Sequence, residues 1–211
     1  VFRFYIGALS VGTIFVALNI HGKVYSSWTD AFRYASFQVV SLGTSTGFAS
    51  TDSSVWPGFA ALILIYFTIQ CGCSGSTSGG IKVERIVLLL KSTKMKVLKL
   101  KHPKAVIPLK FEGTFVNDDA LTSSLLFVCI YLAIVFLSTV ILSAVGVDVL
   151  SAFSGSAAAM GNVGPGVGSV GSLANFNHFP DAAKWVLTAV MLLGRLEIFG
   201  LLLYFFFGTL D

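Results

Sequence analysis

Asp30 to Phe48 reads DAFRYASFQVVSLGTSTGF, and Asp148 to Gly166 reads DVLSAFSGSAAAMGNVGPG. Each begins as a moderately apolar run, Asp30 to Gly43 and Asp148 to Met160, and ends in a glycine turn, 43–48 (GTSTGF) or 161–166 (GNVGPG). A membrane crossing takes about 20 residues, so runs of this length fit segments that enter the bilayer and turn back. Aligning Gly47 with Gly164 also sets Ala35 opposite Ala152 and Ser41 opposite Ala158. Long apolar segments flank both runs: Phe4 to Ile20, Gly58 to Cys71 with a continuation, Leu121 to Val145, and Trp185 to Phe207. The order span, short helix, glycine turn, span therefore occurs twice, and this order, more than residue identity, carries the repeat.

The composition agrees. Of 211 residues, 55% are hydrophobic and 11% charged, where a soluble domain has about 25% charged. Mean hydropathy is +0.85. The net charge of +4 is not a nucleic-acid signal, because nine of the 14 Lys and Arg residues fall between Lys82 and Lys110. A basic block between spans is the mark of a cytoplasmic loop, with anionic headgroups of the membrane lipids as its expected contact, and nucleic acid drops out as a partner. Arg3 then also falls inside, Lys23, Arg33 and Lys184 fall outside, and Arg195 lies within a span. Cys71, Cys73 and Cys129 show neither disulfide nor zinc spacing and read as small thiols in apolar or glycine-rich surroundings. The chain opens at Val1 in helical sequence, with no Met, charged leader or cleavage site, so a piece of a longer protein is expected.

With this orientation both turns face outward at the ends of helices that stop inside the membrane. Irregular backbone is tolerated there only where protein buries it or water lines it. Glycines allow successive carbonyls to face one dehydrated ion, and the negative helix C-termini behind them favour a cation. The filter candidates are Thr44, Ser45, Thr46 and Gly47 in the first turn and Gly161, Asn162, Val163 and Gly164 in the second. The carbonyls of Thr46, Gly47, Val163 and Gly164 are expected to be the ion ligands. Asp30 and Asp148 read as N-caps of the short helices, and Asp52 and Asp181 as solvated outer acids.

Gly58 to Cys71 supplies roughly 21 Å of helix, short of a core about 30 Å thick. Gly72 to Gly80 (GCSGSTSGG) then interrupts it, and helix is expected again at about Ile81. A hydroxyl-bearing break below a filter is a candidate gate, with Gly72, Gly75, Ser76, Thr77, Gly79 and Gly80 as its residues; the alternative is a kinked helix packed closely by small residues. Arg195, at about 2.5 to 3.5 kcal/mol for insertion at a span centre, is functional by default. Facing the pore it is an electrostatic barrier to cations, although pairing with a carboxylate elsewhere is also open. Glu197 lies on another face of the same helix. The segment is not a phosphate-binding loop, since Ile81 separates Gly80 from Lys82 and no Ser or Thr follows, and the GxGxxG match at 166–171 lacks its strand and helix.

STGF at 45–48, GCSGSTSGGIKVERI at 72–86, GNVGPG at 161–166 and MLLGRLEI at 191–198 resemble the TrkH/KtrB/HKT superfamily of potassium transporters across essentially the whole chain. The resemblance implies an all-α, multi-pass protein of the bacterial inner membrane comprising the third and fourth of four pore repeats. The third repeat is expected over 1–90 (span 4–20, pore helix 30–43, filter turn 43–48, broken span 58–90). A basic cytoplasmic linker covers 91–119, and the fourth repeat covers 120–211 (span 121–145, pore helix 148–160, filter turn 161–166, span 185–207). The resemblance further implies one filter glycine per repeat, here Gly47 and Gly164. Serine at that place is associated with sodium preference in plant relatives, so potassium is the expected cargo, with no cofactor. It also implies an intramembrane loop over the gate residues, a pore-lining arginine at Arg195, a homodimer, and a cytosolic nucleotide-binding regulatory subunit resembling TrkA or KtrA. Two repeats do not close a ring, so missing N-terminal repeats or a partner chain are expected to complete it. A membrane-embedded enzyme is the competing class, but His21, His102 and His178 assemble no catalytic set. An ion-coupled carrier shares the architecture and differs in mechanism.

Overall fold

The computed structural model describes residues 1–102, 109–111 and 113–196. Helix α1 (Phe2–Ile20) leads into α2 (Trp28–Gly43) and α3 (Gly58–Ile69). After a non-helical break come α4 (Val83–Lys101) and a small hairpin of β1 (Lys110–Phe111) and β2 (Thr114–Phe115). Then α5 (Asp118–Ala144) and α6 (Val149–Gly161) follow, and after a loop holding one 3-10 turn, α7 (Asp181–Arg195). Of the expected linker, 103–108 and 112 lie outside the described residues, as does the expected last span beyond Leu196, including Glu197.

Two three-helix units result, each with its own core. In the first, Val16 and Ile20 of α1, Ala35 and Val39 of α2, and Leu64 and Phe67 of α3 are buried together. In the second, Phe127, Tyr131 and Leu142 of α5 pack on Ala152 and Met160 of α6 and Leu187 and Val190 of α7. The units join where α3 meets α6, and Val163, from the second turn, completes the first unit's core. Helix α6 is made almost entirely of Ala, Ser and Gly over 154–159, all buried. Small side chains let neighbouring backbones come close, the packing that membrane helices use in place of a hydrophobic driving force.

Helix α5 shows its solvent plainly. Phe127, Tyr131, Val135 and Leu142 form its buried stripe, while Leu126, Leu132, Phe136, Leu137 and Val140 are exposed. A helix apolar all round, with one stripe against protein, fits a lipid surround. Helices α1 and α5 are long and apolar enough to cross a membrane, with mean hydropathies of 1.5 and 2.9.

Some local expectations are corrected. Asp148 does cap α6, accepting the Ser151 N–H at 3.3 Å. Asp30 caps nothing: α2 begins at Trp28, whose ring stacks on His21 at 3.7 Å, and Ser27 takes the cap position. Asp30 falls in the first turn, where its charge still complements the helix dipole. Helix resumes after the break at Val83 rather than Ile81, because Ile81 N–H bonds back across the break to the Ile69 carbonyl, 2.9 Å. The first eleven residues of the expected linker, 91–101, are helical.

Tyr131 is fully buried, and its hydroxyl has no partner among the described residues. An orphaned polar atom costs stability, so Tyr131→Phe is expected to hold or raise the melting temperature in detergent, while Tyr131→Ala lowers it by the several kcal/mol typical of an aromatic core deletion. A fluorescence-detected melt of both variants checks this.

Candidate functional site

Both short helices end in the same way. After α2, the Ser45 N–H bonds to the Leu42 carbonyl at 3.0 Å and the Thr46 N–H to the Ser41 carbonyl at 2.9 Å. After α6, the Asn162 N–H bonds to Ala159 at 3.1 Å and the Val163 N–H to Ala158 at 3.0 Å. These paired bonds define a Schellman cap, which needs a left-handed residue at its corner. Ser45 (φ 61°) and Asn162 (φ 52°) occupy that corner, and two residues later Gly47 (φ 75°) and Gly164 (φ 100°) are left-handed again. The correspondence follows the Gly47 to Gly164 alignment residue for residue. Asn tolerates this region better than Ser. Ser45 is held there by its side chain, which donates to the Gly161 carbonyl of the other turn at 2.9 Å.

The two turns therefore touch. A Cβ on Gly47 would collide with the Val163 carbonyl oxygen. Carbonyls around the caps are spoken for: Gly43 accepts from Tyr5 Oη and from the Gly72 N–H, both at 2.8 Å, and Phe48 accepts from Ser41 Oγ at 2.6 Å. The carbonyls of Thr46, Gly47, Val163 and Gly164 accept no hydrogen bond from any described residue. Thr44 places its hydroxyl on the Val40 carbonyl, 2.7 Å, and against the Thr46 hydroxyl, 2.7 Å. The Asn162 side chain donates to the Met191 carbonyl of α7 at 3.1 Å.

The break between α3 and α4 folds beneath both turns. Ser78 Oγ donates to the Cys71 carbonyl at 2.9 Å and contacts Ser76 Oγ at 3.0 Å. The Val83 N–H reaches the Gly72 carbonyl at 3.2 Å, so the break is a bonded loop. Gly75 sits at the loop's exposed tip with φ 77°. Gly79 and Gly80 are buried by close approach: a Cβ on Gly79 would lie 2.7 Å from the Met160 carbonyl and 3.0 Å from that of Gly194, and one on Gly80 would lie 2.8 Å from the Ile69 carbonyl. Arg195, the last residue of α7, donates from Nη1 to the Thr77 carbonyl at 3.0 Å.

Thr44, Ser45, Ser76, Thr77, Ser78, Asn162 and Arg195 together line a polar cavity of about 130 Å³. That is room for several waters. A larger cavity of about 430 Å³ lies between turn two and α7, but its walls are almost wholly carbon and offer a cation little. The structure thus gathers both turns, the glycine-rich break and Arg195 at one place. Three contributors escaped the sequence reading: Gly194 and the carbonyls of Met160 and Met191. Gly194 directly precedes Arg195, and a glycine beside a charge within an apolar span is a signal of close backbone approach.

The family described as TrkH, cation transport protein, matches residues 4–208. The chain belongs to the TrkH family. It is 42% identical over 173 residues to the Trk system potassium uptake protein TrkH of Halomonas elongata, covering 82% of this chain and 36% of the relative. With the Escherichia coli K12 protein of the same name it shares 38% over 205 residues, 97% of this chain and 42% of the relative. The crystal structure of the potassium transporter TrkH from Vibrio parahaemolyticus superposes with a TM-score of 0.87 at 38% identity, covering 96% of this chain and 43% of that one. The chain thus spans about two fifths of the length of these relatives. Membership of a transport family also sets the enzyme reading aside.

Since Gly79 and Gly194 leave no space beside the Met160 carbonyl, Gly79→Ala must push the loop, and Gly194→Ala must push α7, away from the end of α6. Both are expected to lower the melting temperature, through about 1–3 kcal/mol of overpacking each. Gly75→Ala meets no atom within 4 Å and bears only the strain of its positive φ. Equal melting temperatures for all three would contradict the packing.

Proposed function

We propose that this chain forms half of a potassium pore in a bacterial inner membrane, with the two Schellman turns as two of four walls of a selectivity filter. The observation that carries the reading is the meeting of the turns, with the Thr46, Gly47, Val163 and Gly164 carbonyls unbonded above a polar cavity. Carbonyls without donors can replace the hydration shell of a monovalent cation. The C-terminal ends of α2 and α6 add negative potential behind them. Residues 1–90 are the third repeat and 120–211 the fourth, and the basic stretch of 91–119 lies in the cytoplasm by its positive charge. Two further repeats, from the remaining length of the longer relatives or from a partner chain, close the ring.

Below the filter, the loop from Gly72 to Gly80 acts as the gate and Arg195 as its latch. The guanidinium holds the loop through the Thr77 carbonyl and sets a positive charge on the cavity wall, which raises the energy of a passing cation. Opening requires that bond to break and the loop to withdraw from beneath Ser45 and Asn162. A cytosolic nucleotide-binding subunit docked on the basic α4 would act on the loop directly, because α4 begins three residues after Gly80. Homodimerisation of the complete protein fits the same scheme.

The test is rubidium-86 uptake by proteoliposomes holding the full-length protein, against competing potassium and sodium. Gly164 has open space around it but a positive φ, so Gly164→Ser adds a side chain at the ion path. This variant is expected to lose preference for potassium over sodium, and Arg195→Ala to raise flux severalfold. Wild-type selectivity and rate in both would place the pore elsewhere.

A further inference from the structure

The loops that follow the two turns meet at a pair of hydroxyls, Ser53 and Ser172, and one buried amide holds that pair. Gln38 lies on α2, five residues before its end, and is 1% exposed. Its Nε2 donates to Ser172 Oγ at 2.6 Å, and that hydroxyl also bonds Ser53 Oγ. Ser53, 2% exposed, belongs to the chain leaving turn one, and Ser172 to the chain leaving turn two. Each of these chains is tied back to its own short helix. Ser41 of α2 holds the Phe48 carbonyl at 2.6 Å. Ser154 of α6 donates to the Val167 carbonyl and accepts from its N–H, both at 2.9 Å. The Gly166 N–H to Val170 bond, 2.8 Å, and the Gly171 N–H to Gly168 bond, 3.1 Å, close the loop that ends at Ser172. A shift of Ser172 is therefore passed through a short bonded path to Gly164. The other end of the amide, Oε1, is buried without a partner among the described residues, so packing and the Ser172 bond alone orient it.

We propose that Gln38 is a positioning residue for ion selectivity: its hydrogen bond to Ser172 anchors the second post-turn loop to α2 at the point where Ser53 of the first loop meets it, and so holds the spacing of the two loops and, through them, of the two sets of carbonyls. This rests on the reading of the turns as the ion path. A carbonyl cage discriminates between cations by the number and placement of its oxygens, so a strut that holds the cage acts on the ratio of potassium to sodium. A side chain serving the fold alone would change the amount of folded protein and leave that ratio untouched.

The full-length protein in proteoliposomes is assayed for rubidium-86 uptake under sodium and potassium competition as wild type, Gln38→Leu, Ser172→Ala and the double variant, with Gly164→Ser alongside. Each single variant is expected to lose roughly 3- to 10-fold in potassium preference, the scale of one hydrogen bond. The double variant should be no worse than the poorer single, since both remove the same bond. Losses that multiply in the double variant overturn the strut. An unchanged ratio in all three, while Gly164→Ser shifts it, also overturns the strut and leaves the ion path standing. An unchanged ratio in Gly164→Ser as well removes the ion path and the strut together. If Gln38→Leu does not fold, Gln38→Asn, which keeps the amide but shortens its reach to Ser172, decides in its place: a lost ratio supports the strut, and a wild-type ratio overturns it.

Discussion

A helix whose end is buried in the protein, as those of α2 and α6 are, must dispose of its last carbonyls without water, and this constraint shapes the centre of the molecule. Both α2 and α6 meet it with a Schellman cap, which consumes the carbonyls of the final turn and requires a left-handed corner. The corner reverses the chain, and the next two carbonyls, Thr46 and Gly47 in one turn and Val163 and Gly164 in the other, accept no hydrogen bond from any described residue. A left-handed non-glycine residue costs on the order of 1–3 kcal/mol unless its surroundings enforce it. For Ser45 the enforcing contact is its own bond to Gly161, 2.9 Å across the junction of the two units. The cap of one unit is thereby stabilised by the cap of the other.

The same junction explains why the break between α3 and α4 is rich in glycine. Gly72 donates to the Gly43 carbonyl at the end of α2, while Gly79 sits against the Met160 carbonyl near the end of α6. The loop thus touches both caps from below, and Arg195 fastens it from α7. A side chain at 79 would separate the loop from the end of α6, and one at 194 would separate α7 from it, so small size at these positions is a packing requirement. The hydroxyls of Ser76, Thr77 and Ser78 then supply the polarity of a cavity that apolar helices alone would have left dry.

Much of this was legible in the sequence. Short apolar runs ending in glycine marked α2 and α6, because membrane length is a hard limit and each run falls short of it. The undersized helix before GCSGSTSGG marked the break on the same ground, and Arg195 announced itself as a charge in apolar surroundings. Other features were not legible for physical reasons. The left-handed corner at Ser45 depends on a partner 116 residues away. The start of α2 was displaced by the stacking of Trp28 on His21, a tertiary contact that outweighed the capping preference of Asp30. The second half of α4, 91–101, was hidden by its lysines, which suggested a loop, although Lys, Leu and Met are all strong helix formers. The bond from the Asn162 amide to a carbonyl of α7 joins residues far apart in the chain, and nothing in the turn's own sequence marks it.

The central claim is that the unbonded carbonyls of the two caps face one cation path. Anomalous diffraction from crystals of the full-length protein soaked in rubidium tests it most directly. The account predicts a rubidium peak in contact with the carbonyls of Thr46, Gly47, Val163 and Gly164. A peak confined to other residues, with those four carbonyls bare, would contradict it.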